Sequence, residues 1–376
     1  MKIVVAIDSF KGSLSSLQAG NAVKEAVGRL SDNAEVIIKP LADGGEGTVA
    51  ALSETSNSEM VELKVHGPLL NPATAKYCIL KDTNTAVIEM ASASGITLIS
   101  ADERNPLETT TFGVGELIKD AIKKGCRRFI VGIGGSATND GGTGMLTALG
   151  YEFTDKNGNP ISLGAKGLKD LYKIKADHVM PELKECQFNI ACDVANPLCG
   201  ENGCSAVFGP QKGATSEMIK DMDTWLEKYA ILVKTVSNKA DKDCAGAGAA
   251  GGLGFAFLSF TNAVLKSGIE IVLEEIDIEA DIKNADIVVT GEGRLDSQTV
   301  MGKAPIGVAK LAKKYDKKVI AFSGCVTADA EVCNEHGIDA FFPVLRCVTT
   351  LDEALDTDNA YKNLSATAYQ VFRLLI

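Results

Sequence analysis

The stretch KIVVAID, residues 2–8, is a continuous apolar run closed by an aspartate. Such a run marks a strand covered on both faces, as in parallel sheets, where helices pack above and below. Its short length and the immediate arrival of Asp8 read as a buried strand and not as a signal peptide. Just beyond it, Ser15-x-x-Gln18 forms a capping-box pattern. Ala19, Ala22, Val23, Ala26, Val27 and Leu30 then follow helical spacing, and AEVIIKPL (34–41) predicts a second strand. The last hundred residues repeat this texture. ADIVVTG (285–291), KVIAFSG (318–324) and DAFFPVL (339–345) predict strands, Pro305 opens a helix ending near Lys314, and another helix starts near Asp352. Five apolar strands alternating with helices predict a doubly wound parallel α/β sheet, of order 2-1-3-4-5 if the insertion leaves that order intact.

The middle of the chain reads differently. MVELKVHG (60–67), TAKYCILK (74–81) and TAVIEMAS (85–92) are joined by connections too short for parallel crossovers, so an antiparallel meander is expected. A helix follows with Val114, Leu117, Ile118, Ala121 and Ile122 on one face and Gly125 as its stop. RRFIVGIGG (127–135) and FNIACDV (188–194) predict further strands, and residues 215–237 and 251–267 predict helices. The expected organisation is a discontinuous doubly wound domain, 1–44 with 276–376, interrupted by a mixed-sheet α/β domain at 45–275. Residues 244–265 carry no charge, but five glycines and Ser259, Thr261 and Asn262 favour a buried helix entered through a glycine loop over a membrane span.

Composition narrows the function. The net charge of −11 gives no basic footprint for duplex nucleic acid. Ten cysteines without a CxxC pair, beside only three histidines (His66, His178, His336), read as reduced thiols of a cytoplasmic protein and not as a zinc centre. Glycine is the outlier, at 37 of 376 residues against an average near 7%. The glycines cluster in polar loops that follow or border apolar strands: DSFKGS (8–13), ADGGEGT (42–48), GGSATNDGGTG (134–144), CDVANPLCG (192–200) with FGPQKGA (208–214), and TGEGRLDSQ (290–298).

In a sheet of order 2-1-3-4-5, ligands bind at the carboxyl ends of strands one and three. That brings Asp8, Ser9 and Lys11 beside Gly291, Glu292, Gly293, Arg294 and Asp296. Cations and backbone N–H groups for phosphates, carboxylates for Mg²⁺ and a base for a hydroxyl are the requirements of phosphoryl transfer. Each residue also has a plain alternative: Asp8 as a turn cap, Lys11 as a solvated surface lysine, Arg294–Asp296 as an internal ion pair, and Asn139, Asp140, Asp193 and Asn196 as turn residues. The P-loop is ruled out because SQTVMGKA places Ser297 and Ala304 wrongly, and GxSxG, HExxH and zinc motifs do not occur. Gly246-x-Gly248-x-x-Gly251 matches a dinucleotide fingerprint but follows no predicted strand.

Taken together, IDSFKGSLS, PLADGGEGT, EMASASG, TTTFGVGELI, GIGGSATNDGGTGML, ACDVANPLCG, VFGPQKGA, GAGAAGGLG and TGEGRLDSQTVMGKAP resemble the bacterial glycerate kinase family usually called class I. The resemblance implies ATP-dependent phosphorylation of D-glycerate with Mg²⁺, generally to 2-phosphoglycerate, on a flavodoxin-like domain carrying a second domain with an endonuclease-like αβββαβ core. Within that frame Asp8, or alternatively Asp193, is the expected base. Lys11 and Arg294 are expected to neutralise phosphate or carboxylate. Asp296, with Asp43 or Glu46, is expected to hold Mg²⁺. Gly134, Gly135, Ser136 and Asn139 are expected to face nucleotide phosphate, with Ser9, Gly44, Gly45, Asn196, Gly291 and Gly293 completing the binding set. A cleft between the domains is expected to close on both substrates. Phosphorylation of the 3-hydroxyl, an NAD-dependent dehydrogenase and a non-catalytic sugar-acid-binding protein are the competing readings.

Overall fold

A computed structural model describes residues 1–41, 49, 52 and 57–376. The chain divides into two compact units, Met1–Ser56 with Ile269–Ile376, and Asn57–Gly268. The joints thus fall at 56/57 and 268/269, where the sequence pattern places them at 44/45 and 275/276.

The first unit holds a five-stranded, wholly parallel sheet in the order Ala340–Pro343, Lys318–Val326, Ile287–Leu295, Lys2–Ile7, Glu35–Ile38. This is the 2-1-3-4-5 order, with the winding reversing between Lys2–Ile7 and Ile287–Leu295. Ile3, Val5 and Ile7 bury one sheet face against Ala19, Ala22, Val23 and Ala26 of helix Ser16–Gly28. Leu364, Ala368 and Phe372 of helix Thr357–Phe372 join the same core. The capping box forms as expected: Ser15 accepts from Gln18 N–H, and the Gln18 side chain accepts from Ser15 N–H. The predicted helix from Asp352 is two helices, Leu351–Leu355 and Thr357–Phe372, broken where the Asp356 carboxylate caps the second.

The second unit holds a six-stranded mixed sheet in the order Asn262–Lys266, Gln187–Ala191, Arg128–Gly132, Thr85–Glu89, Pro72–Leu80, Ser58–His66. The last three form the antiparallel meander, and the remaining pairs are parallel. Helix Phe112–Lys123 buries the predicted Val114, Leu117, Ile118, Ala121 and Ile122 stripe. One expectation fails. Residues 251–267 are not a single helix: the helical segment Ala249–Phe260 is kinked by left-handed backbone at Ala250, Gly251 and Gly252, the chain turns extended at Thr261, and Asn262–Lys266 becomes an edge strand beside Gln187–Ala191. An uncharged apolar run carries no periodicity that separates buried helix from strand, and Thr261 and Val264 are β-branched residues that suit the sheet. Among the described residues no helix is long and apolar enough to cross a membrane. All ten cysteines are free; five are buried, three half-buried, and Cys325 and Cys347 are exposed.

Candidate active site

In the first unit, the Asp8 N–H donates to the Gly291 carbonyl at 2.9 Å, so the ladder between the two strands runs on to the predicted switch point. Asp8 is buried, and its Oδ1 accepts the Ser9 N–H at 2.7 Å. The 8–14 loop folds back through a Phe10–Leu14 bridge, and Gly293 lies against the backbone of Phe10 and Lys11. Glu292 follows at the strand end: Thr299 Oγ1 donates to its Oε1 at 2.8 Å, and Lys303 Nζ stands 3.7 Å from its Oε2. Burial pushes the Glu292 carboxyl above its ordinary value, opposed by the Thr299 hydrogen bond and the charges of Lys303 and Lys11.

Arg294 Nε meets Asp296 Oδ2 at 3.1 Å; the arginine side chain is 64% exposed, the aspartate 13%. Lys303 Nζ also lies 3.9 Å from Asp296 Oδ1, which accepts the Gln298 N–H at 2.9 Å. Asp329 supports the next residue from outside by accepting from Ser297 N–H and from the Thr327 hydroxyl, and these hydrogen bonds hold its carboxyl far below the ordinary range. The structure places Asp8, Ser9, Lys11, Gly291, Gly293, Arg294 and Asp296 at neighbouring strand ends. It adds Thr299 and Lys303, which the sequence reading passed over inside the failed P-loop comparison. Asp43, Gly44, Gly45 and Glu46 lie outside the described residues.

In the second unit the 134–144 loop splits into two parts. Gly134 and Gly135 are exposed at the end of strand Arg128–Gly132. Ser136 is nearly buried, and Lys212 Nζ donates to its Oγ at 2.8 Å. Further along, everything turns inward. Asn139 is wholly buried, its amide donating to Ser205 Oγ at 2.8 Å and to Met222 Sδ at 3.5 Å. Asp140 is equally buried and accepts from Thr111 N–H (2.8 Å) and Oγ1 (2.9 Å), Thr110 Oγ1 (3.2 Å), Gly142 N–H (3.0 Å) and Gly144 N–H (3.2 Å). Burial pushes the Asp140 carboxyl up while these donors pull it down. Asn139 and Asp140 thus build the loop, and Asp140 has its acceptor capacity taken up by the protein.

The Gly246–Gly252 run packs against this same loop. A Cβ on Gly251 would meet the Thr138 carbonyl at 2.0 Å, one on Gly248 the Pro197 carbonyl at 2.2 Å, and Gly251 has φ +66°. Close backbone approach explains the GxGxxG spacing without a dinucleotide. Asp193 Oδ1 accepts the Gly268 N–H at 3.0 Å, and Asn196 Nδ2 donates to the Asn202 carbonyl at 2.9 Å while its own carbonyl accepts the Gly248 N–H.

A doubly wound sheet with cations and carboxylates at its switch point, and without a P-loop, defines a class of protein that binds charged ligands at strand-end loops. Comparison with known proteins gives that class its family. The sequence model described as "Glycerate kinase family" matches residues 3–376. A curated "Glycerate kinase" from Haemophilus influenzae is 46% identical over 375 residues, 100% of this chain and 99% of the relative. A "Glycerate 2-kinase" from Escherichia coli K12 is 48% identical over 97% of this chain and 95% of the relative. A solved structure described as "Crystal structure of putative glycerate kinase 2 from Salmonella typhimurium LT2" superimposes with TM-score 0.92 at 47% identity, covering 100% of this chain and 98% of that one. The chain belongs to the glycerate kinase family and is a kinase.

Proposed function

We propose that this kinase transfers the γ-phosphoryl group of ATP to D-glycerate, at the 2-hydroxyl. The observation that carries the proposal is the 48% identity, over nearly the whole chain, to the Escherichia coli glycerate 2-kinase. The switch-point cluster supplies the chemistry. The glycerate hydroxyl oxygen bonds to phosphorus as the bond to ADP breaks, and the hydroxyl proton passes to a carboxylate, Asp8 or alternatively Asp193. Lys11 and Arg294 neutralise phosphate or the glycerate carboxylate, the Arg fork being suited to a bidentate clamp. Ser9, Gly291 and Gly293 border this set, and Gly134, Gly135 and Ser136 receive nucleotide phosphate in the second unit. Asn196 stays in the proposal as a binding residue beside Asp193.

Glu292 and Asp296 fit Mg²⁺. Among the described residues no three acidic, His or Cys side chains gather as a self-sufficient metal site. Mg²⁺ needs only one or two carboxylates when substrate phosphates and water complete its shell, and both groups are hard oxygen donors. Bound there, the ion would neutralise charge developing on the phosphates. A reducing, cytoplasmic setting is part of the proposal and is supported by the ten free thiols.

A coupled assay with ATP, Mg²⁺ and D-glycerate tests the activity, and phosphorus NMR of the product reads the position. ADP release at background rate overturns the proposal; 3-phosphoglycerate as product overturns its regiochemistry alone.

A further inference from the structure

The side chain of Lys212 lies only 2% exposed, in the turn Pro210–Lys212 that follows helix Cys204–Phe208. Its Nζ donates to Ser136 Oγ at 2.8 Å and to the Thr138 carbonyl at 2.6 Å. Among the described residues it forms no ion pair, so both partners are neutral. Burying an ammonium without a direct ion-pair partner is costly, and an apolar side chain of similar volume would avoid that cost. A buried cation kept under those terms calls for a task, and its neighbours indicate which one.

A serine hydroxyl has one proton and two lone pairs. Because Lys212 occupies the acceptor side of Ser136 Oγ, the Ser136 proton must point away from Nζ. Ser136 directly follows the exposed Gly134 and Gly135, and among the described residues nothing lies within 4 Å of where a Cβ on Gly134 would sit. We infer that Lys212 is a positioning residue: through Ser136 it presents a positively polarised hydroxyl, and through Thr138 a fixed loop, to a phosphate oxygen of the nucleotide. This rests on the reading of Gly134–Ser136 as a phosphate loop. The bound phosphate then adds negative charge on the far side of Ser136, where the protein places no direct ion-pair partner for Lys212 among the described residues.

The groups that face Lys212 are Asp140 on the 134–144 loop and Cys204 on the adjoining helix. Burial pulls the lysine down to about 8, opposed by the negative charge of Asp140. The Cys204 thiol, pushed by burial to about 11, stays protonated in the relevant range. Lys212 is charged below its pKa, so its help to an anion is present at neutral pH and fades as pH rises through about 8.

The test uses the full chain with Lys212→Met, Ser136→Ala and the double variant. It reads ATP KM and kcat, calorimetric affinity for ATP without glycerate, and thermal midpoint. Each single variant should weaken ATP binding about 10-fold or more, with a smaller change in kcat, as expected for a hydrogen bond to a charged partner. The double variant should lose less than the sum of the two single losses, because part of the effect of Lys212 runs through the Ser136 hydroxyl. Lys212→Met should also flatten the loss of ATP affinity between pH 7 and 9. Additive losses, or a Lys212→Met protein with wild-type ATP affinity and pH profile, overturn the inference. So does a loss confined to glycerate. Should Lys212→Met fail to fold, Lys212→Gln and the wild-type pH profile decide instead, a flat profile counting against it. Ser136→Ala with unchanged ATP affinity would overturn the phosphate-loop reading beneath, whereas an affected Ser136→Ala beside a silent Lys212→Met removes only the role of Lys212.

Discussion

Two glycine loops of this chain look alike on paper and differ in structure. TGEGRLDSQ and GGSATNDGGTG both follow an apolar strand, and both mix glycine with acidic and amide residues. In the first, Asp296 and Glu292 meet Arg294, Lys303 and Thr299 at a strand end, with the arginine largely in solvent. In the second, Asp140 is sealed in the core, with backbone and hydroxyl donors around its carboxylate. A carboxylate saturated by the protein holds a loop together, whereas one balanced by mobile cations can exchange those cations for a ligand. The acidic loop residue therefore serves stability in the second unit and, under the proposed function, chemistry in the first.

That contrast breaks most easily at Asp140. Asp140→Ala should remove more than about 3 kcal/mol of stability, because several buried donors lose their acceptor together. Chemical denaturation would show it, and a midpoint near wild type would erase the distinction between the loops. Next come Lys11→Ala and Asp296→Asn, each expected to lower kcat about 10²- to 10³-fold, by analogy with deletion of one transition-state charge contact. Their thermal midpoints should stay close to wild type; activity within a few-fold of wild type would place the reacting groups elsewhere. Asp8→Asn and Asp193→Asn sharpen the comparison further, since only the base should lose its pH-dependent limb of kcat. The smallest expected effect is structural: Ser15→Ala removes the helix cap beside the site and should cost about 1 kcal/mol with kcat unchanged.

Much of the fold was legible because its strands are long apolar runs between helices with explicit caps, and these local signals agree with the global order. The switch point followed from counting strands, which is why Asp8 and Gly291 could be paired without coordinates. Residues 251–267 were not legible, since hydropathy without periodicity assigns burial but not conformation. Within the site, Asn139 and Asp140 could not be distinguished from ligand-facing residues, because turn, core and site all favour Asn, Asp and Gly. Lys212 and Lys303 were missed for the opposite reason: lysine is so often solvated that a buried or paired one leaves no mark in composition. The one available hint was position, each lying in a glycine-punctuated block, FGPQKGA or SQTVMGKAP.

The free thiols make this chain its own reporter. Cys325 and Cys347 are exposed, while burial pushes Cys78 to about 12 and Cys186 to about 11, leaving those two poor nucleophiles while the chain is folded. A mild alkylating reagent consequently separates surface from interior by rate alone. Cys325 is also the register partner of Arg294 across the parallel ladder. A tag attached there sits one strand from the candidate chemistry, so an environment-sensitive label can follow ligand arrival without the insertion of a new residue.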